Sequence, residues 1–193
     1  VLPAVLQPET RLSAEPPASA YDMGHAAEPE SLATFAILVD NEPGVLHRVV
    51  GLFAARGYNI ESLTVAETDE TAHTSRITIV TRGTPQVLAQ IQAQLEKMVS
   101  TRHVVNVTVD PNGVQRELAL VKVRGSGTER VEALRIADIF RARVIDTTTT
   151  SFIFEITGAP SKIDKFTGLM RPLGLVEVSR TGVLSIERGE GTF

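Results

Sequence analysis

The chain has 193 residues, 42% of them hydrophobic and 22% charged, with a formal net charge of −4 and no cysteine. That length supports one medium domain or two small ones, and the lack of cysteine excludes a disulfide framework, a thiolate nucleophile and a cysteine-ligated metal. An acidic balance gives no general attraction to nucleic acid or anionic lipid, and no window holds the unbroken apolar run of a membrane span.

Residues 1–33 combine Pro, Ala, Glu and Ser without a sustained apolar period, so they bury too little surface to offset the entropy of ordering. We expect a disordered extension. Glu9, Glu15, Asp22, Glu28 and Glu30 argue against a secretory or organelle leader, which makes the cytoplasm the expected location. From Thr34, "TFAILVD" reads as a short apolar strand, and Val45, Leu46, Val49, Val50, Leu52 and Phe53 recur at helical spacing until Gly57 supplies a C-terminal cap. "YNIESLTVAE" and "TSRITIVTR" alternate polar and apolar residues around "TDETAH", the pattern of an antiparallel hairpin. A second helix carries Val87, Leu88, Ile91, Leu95, Met98 and Val99 on one face, and "HVVNVTV" forms a strand before the breaker "DPNG".

The same βαββαβ order then returns. "ELALVKV" reads as a strand, Thr128 to Arg141 as a helix, "RVIDT" and "SFIFEIT" as a strand pair joined by the polar run "DTTTTS". Ser161 with Asp164 resembles a capping box for a helix bearing Ile163, Phe166, Leu169 and Met170, and "LVEVSRTGVLSI" closes the unit with a break at Gly182. The fold class is therefore α+β, two tandem ferredoxin-like units over 34–110 and 117–188, with a linker at 111–116 and a tail at 189–193. Units this small bury a modest fraction of their surface, so pairing with further copies is expected.

The stretch "DNEPGVLHRV", Asp40 to Val49, places an acid, an amide and Pro-Gly before an amphipathic helix. Helix N-termini carry unpartnered N–H groups and partial positive charge, which favour a carboxylate. Gly44 leaves room for a ligand near the main chain, Pro43 presets a helix-compatible φ, and the Asn41 amide both donates and accepts. The chemistry suits a zwitterionic amino acid. The same residues would also serve a plain cap by Asp40 or Asn41 followed by a turn.

"VDNEPGVLHRVVGLFAARGYNIESLTVAETDETAHTSRITIVT" resembles the opening of the small, regulatory subunit of acetolactate synthase (acetohydroxyacid synthase), whose N-terminal half is an ACT domain. The similarity continues through "VLAQIQAQLEKMV", "RELALVKV" and "ADIFRARVIDTT", over roughly residues 34 to 188. The resemblance implies an N-terminal ACT domain with a second ACT-like domain, and a subunit with no catalytic site of its own. Such a subunit binds and activates the thiamine-diphosphate-dependent catalytic subunit, which is expected to carry thiamine diphosphate, Mg and FAD, and it transmits feedback inhibition by valine in branched-chain amino-acid biosynthesis. It further implies a homodimer through the ACT domains, with the effector between them. Carried over by motif, Asn41, Gly44, Val45 and Leu46 form one wall and Asn59 and Ile60 in "YNIES" the other. Pro43 stands where many bacterial relatives carry Ser or another small residue, a departure that leaves the glycine-based site intact. Small apolar walls favour a branched side chain, although a pocket separates valine from its homologues by only roughly 1–3 kcal/mol per methylene.

Other chemistry is thinner. His25, His47, His73 and His103 lack metal-ligand spacing, and no nucleophile stands beside a base. "RGSGTERV", Arg124 to Val131, sets glycines between strand and helix but lacks a Walker lysine, so a plain turn is the better reading than a phosphate cradle. An RNA-recognition module would need stacking aromatics, absent from "TSRITIVT", and an acylphosphatase-type enzyme would need an Arg in its phosphate loop. A free-standing amino-acid sensor acting on another target is the nearest alternative function, because a ligand site does not name its partner.

Overall fold

The computed structural model describes residues 28–69, 73–109 and 113–190. Positions 1–27 of the expected extension, 70–72 of "TDETAH", 110–112 of "DPNG" and 191–193 of the tail lie outside the described residues. The first unit runs β1 (Ser31–Asp40), α1 (Val45–Ala55), β2 (Ile60–Asp69), β3 (Thr74–Gly83), α2 (Pro85–Glu96) and β4 (Thr101–Asn106). Its antiparallel sheet has the order β2-β3-β1-β4. The second runs β5 (Gly113–Arg124), α3 (Gly127–Phe140), β6 (Arg143–Thr147), β7 (Ser151–Gly158), α4 (Pro160–Met170), a 3₁₀ turn at Arg171–Leu173, β8 (Leu175–Arg180) and β9 (Leu184–Glu187). Its sheet has the order β6-β7-β5-β8, with β9 on the first residues of β5.

Period-two and helical patterns meet in the two cores. On β1, Phe35, Ile37 and Val39 alternate onto the face that receives Val45, Val49 and Phe53 of α1 and Leu88, Ile91 and Leu95 of α2. The second core repeats the arrangement with Ala119, Val121 and Val123 of β5, Phe152, Phe154 and Ile156 of β7, and Ile163, Phe166 and Met170 of α4. The Phe166 ring meets Phe154 edge-on, with centroids 6.1 Å apart.

Several boundaries move from their sequence expectation. β1 begins at Ser31, so Ser31–Ala33 belong to the sheet, paired with Gly83, Arg82 and Thr81, and not to the extension. Likewise Gly113–Arg116 are strand, paired with β9, and not linker. β4 occupies 101–106 instead of 103–109, although Val107 still donates its N–H to the Thr34 carbonyl. α2 ends at Glu96, which places Val99 beyond the helix face and wholly in solvent at 102% exposure. α4 begins at Pro160 with Ala159 as its N-cap and no side-chain cap, so Ser161 and Asp164 form no capping box; Leu169 lies exposed rather than on the buried face. Asp164 instead accepts a hydrogen bond from Arg180.

The break expected at Gly182 separates β8 from β9 and docks the second unit on the first. Alternation puts Ser62, Thr64 and Arg76 on the sheet face away from the helices. There the Val183 N–H donates to Ser62 Oγ (3.3 Å), Thr64 Oγ1 donates to the Thr181 carbonyl (3.4 Å) and Arg76 Nη1 donates to the Ser185 carbonyl (3.1 Å). Burial lowers the Arg76 pKa from its ordinary value. At Gly182, φ is +85°, and an added Cβ would stand 2.6 Å from Ser62 Oγ and 2.7 Å from Thr64 Oγ1. Gly182→Ala is therefore expected to open this contact, read as faster amide exchange at Val183 with unchanged protection of β1 and β3.

Candidate functional site

Pro43 and Gly44 occupy the centre of a turn closed by the Val45 N–H on the Glu42 carbonyl (3.2 Å). Gly44, at φ 84° and ψ −1°, has the conformation that a type II turn demands at its third residue, where a side chain is disfavoured. Gly44 is also the N-cap of α1, with no side-chain cap. Neither Asp40 nor Asn41 caps the helix, and Pro43 lies ahead of the cap instead of on the first helical turn. The Asp40 carboxylate takes a 2.6 Å hydrogen bond from Arg102 Nε, and the Asn41 N–H donates to the His73 carbonyl at 2.7 Å. These bonds anchor the backbone of the entrance while Asn41 and Gly44 stay exposed. Nothing lies within 4 Å of a Cβ built on Gly44. The N–H groups of Leu46 and His47 precede the first helical carbonyl partner and face this open ground.

Among the expected wall residues, Leu46 is exposed but Val45 is buried in the first core. With the helix starting at Val45, positions 45, 49 and 53 turn inward together, so the Val45 side chain supports the core and only its backbone borders the entrance. The second wall lies elsewhere. Asn59 is exposed and precedes β2 rather than standing within a strand; its Nδ2 donates to Glu61 Oε1 (3.2 Å) and its carbonyl accepts from Thr81 Oγ1 (2.6 Å). Ile60 packs half-buried against the first core.

The register separates the two walls. Asp40 is opposite Thr74 on β3, whereas Ile60 is opposite Thr81. Seven residues of strand, roughly 23 Å, lie between those points. A single chain thus brings together Asn41, Gly44 and Leu46, and holds Asn59 and Ile60 at the far end of the same sheet.

One local network escapes the sequence reading. Arg48 Nη2 donates to Glu42 Oε2 (3.1 Å) and to Ser100 Oγ (2.6 Å), tying the entrance turn and α1 to the segment after α2. The opposite charges of Glu42 and Arg48 flank the turn in sequence, but Ser100, 52 residues further on, gives no local signal.

Elsewhere the glycine-bearing turn before α3 is internally bonded. The Gly125 N–H donates to the Thr150 carbonyl (3.1 Å), and Arg130 stacks on the Phe152 ring (3.8 Å) while donating to Thr147 Oγ1 (3.2 Å). The run "DTTTTS" closes the β6–β7 hairpin, with the Thr148 N–H on the Ser151 carbonyl (2.9 Å). Among the described residues, no group of three or more His, Asp or Glu side chains gathers at metal-binding distance, and no helix is long and apolar enough to cross a membrane.

Residues 35–103 match a family model described as an AHAS small subunit-like ACT domain, and residues 116–189 one described as the small subunit of acetolactate synthase. The chain is 44% identical over 156 residues to the acetolactate synthase small subunit of Haemophilus influenzae, covering 80% of this chain and 94% of that protein. It is equally similar to the acetolactate synthase isozyme 3 small subunit of Escherichia coli, at 44% identity over 156 residues with the same coverage. The crystal structure of the acetolactate synthase small subunit from Thermotoga maritima superposes with a TM-score of 0.71 at 38% identity, covering 83% of this chain and 99% of that one.

Proposed function

The chain belongs to the acetolactate synthase small-subunit family, and from that premise we propose that it holds free valine between two copies and relays its presence to the thiamine-diphosphate-dependent catalytic subunit. As a regulatory subunit it contributes control, and the chemistry belongs to the holoenzyme. Thiamine diphosphate, Mg and FAD are assigned to the catalytic partner.

The observation that carries the effector reading is the open entrance at Gly44 with its complementary wall at the opposite end of the same sheet. A second copy would complete such a site. β2 is an edge strand, with one side hydrogen-bonded to β3 and the other unpaired among the described residues. Antiparallel pairing of two β2 edges about a two-fold sets Ile60 of one copy beside the Asp69 end of the other. That is the end of the sheet at which Asn41 and Gly44 lie. In the completed site the carboxylate of valine accepts from the Leu46 and His47 N–H groups in the field of the α1 dipole. The Asn41 and Asn59 amides orient the zwitterion, and Leu46 and Ile60 flank its isopropyl group.

The test is acetolactate formation by a catalytic subunit mixed with this chain, with and without valine. Higher activity in the mixture and its suppression by valine are expected. Activation without valine suppression would remove the effector assignment, and no activation would favour a sensor acting on another target.

A further inference from the structure

A groove of about 540 Å³ lies between α1, the end of α2 and the turn into β4. Half-buried Leu52 and Met98 and the buried Ser100 line its floor, and Glu42, Arg48, Lys97 and the exposed Val99 stand at its rim. We propose that this groove is the seat of the catalytic subunit, taking an apolar side chain that the partner presents next to a carboxylate. The inference rests on the regulatory-subunit reading above and names the surface that reading leaves open.

Rigidity argues for a docking point. The turn that carries Val99 is fixed by three main-chain bonds: the Met98 N–H on the Leu95 carbonyl (3.2 Å), the Thr101 N–H on the Met98 carbonyl (2.9 Å) and the Asp40 N–H on the Ser100 carbonyl (2.9 Å). A valine held this firmly yet fully exposed is pre-organised apolar surface, and Met98 beside it supplies a side chain that adapts to an incoming group.

Charge selects the partner's chemistry. Arg48 is paired with Glu42, while Lys97 has no ion-pair partner among the described residues. The rim therefore carries an uncompensated positive charge, which an acidic neighbour of the inserted side chain would meet.

Position separates this partner from a second copy. The groove adjoins β4, the edge of the first sheet opposite β2, so two copies joined through β2 leave it facing outward. It is also tied to the effector entrance. α1 begins beside Gly44 and reaches the groove at Leu52, and Arg48 bridges Glu42 of the entrance turn to the buried Ser100 in the groove. Movement of that turn on valine binding shifts the rim directly.

The measurements are the concentration of small subunit that half-activates the catalytic subunit, and valine binding to the small subunit alone by calorimetry. Val99→Glu adds charge at a position free in solvent, and with Lys97→Glu it is expected to raise that concentration at least tenfold while valine binding stays unchanged. Lys97→Arg should behave as the native chain, as should Val131→Glu, which alters an exposed valine on α3. Unchanged half-activation in Val99→Glu and Lys97→Glu would overturn the proposal. A changed sedimentation mass in Val99→Glu with intact activation would also overturn it, by assigning the groove to a second copy. A native chain that fails to activate removes the parent reading, and the inference with it.

Discussion

Gly44→Asp is expected to abolish valine inhibition of the holoenzyme while leaving its activation largely intact. The two effects separate because the substitution acts on the ligand's ground and scarcely on the fold. Gly44 has φ 84°, a left-handed conformation that costs most L residues roughly 1 kcal/mol or more but is best tolerated by Asp and Asn. No atom stands within 4 Å of the new Cβ, so no steric penalty adds to this. The carboxylate then occupies the end of α1, where helix N–H groups and dipole already favour an anion. It satisfies those donors in place of valine and repels the valine carboxylate. Gly44→Asn is the informative control, because it shares the backbone cost and nearly the same shape without the charge. Calorimetry should find no valine binding for the Asp variant and weakened binding for the Asn variant, with melting temperatures of the two alike. Undiminished valine sensitivity in Gly44→Asp would move the effector site elsewhere.

The proposed feedback response requires only modest energetics. A coupling of roughly 1–3 kcal/mol changes affinity about five- to 150-fold and must run both ways, so binding of the catalytic subunit alters valine affinity by the same factor that valine alters subunit binding. Two routes lead away from the proposed effector walls. Arg48 links the entrance turn to Ser100, and β2, which follows Asn59, carries the Ser62 and Thr64 hydroxyls that hold the Thr181–Val183 segment of the second unit.

Local chemistry was legible in the sequence where one short stretch determines the outcome. "NEPG" announces a turn with glycine at its positive-φ position, and the apolar spacing of 45, 49 and 53 defines a helix packed on a sheet. What the stretch could not give was helix phase. Once Gly44 becomes the cap, Val45 must face the core, and a residue expected at the ligand becomes support. Apolar spacing carries Val99 into α2 because spacing alone does not mark a helix end that lacks a Gly or Asn stop; Lys97, the C-cap of α2, is still in right-handed helical conformation. The early start of β1 has a similar origin, since Ser31 and Leu32 are exposed strand residues whose only evidence is their pairing with β3. Contacts across long separations left no trace. Nothing near Ser161 and Asp164 indicates that Asp164 serves Arg180 and not a helix cap.

That same arginine carries the largest expected loss of stability. Arg180, at the end of β8, donates from Nε to Glu117 Oε1 (2.7 Å) and from Nη2 to Glu117 Oε2 (2.5 Å), and its Nη1 reaches Asp164 Oδ1 on α4 (2.6 Å). The planar fork therefore joins β5, β8 and α4 at one point, and the hydrogen bonds that Arg180 donates to Glu117, with help from Asp164, raise the Arg180 pKa above its ordinary value. The Glu117 side chain is 3% exposed and the Arg180 side chain 36%. Arg180→Met keeps most of the stem but strands a buried carboxylate, whose desolvation is no longer offset. We expect a loss of about 3 kcal/mol, the lower end of the range for breaking a buried pair because water reaches one side of Arg180. Glu117→Gln/Arg180→Met removes the stranded charge as well and should recover most of that loss. Urea titration of the native chain and the three variants, including Glu117→Gln alone, closes a double-mutant cycle. A double variant no more stable than Arg180→Met would show that the lost packing of the guanidinium, and not the orphaned carboxylate, sets the cost.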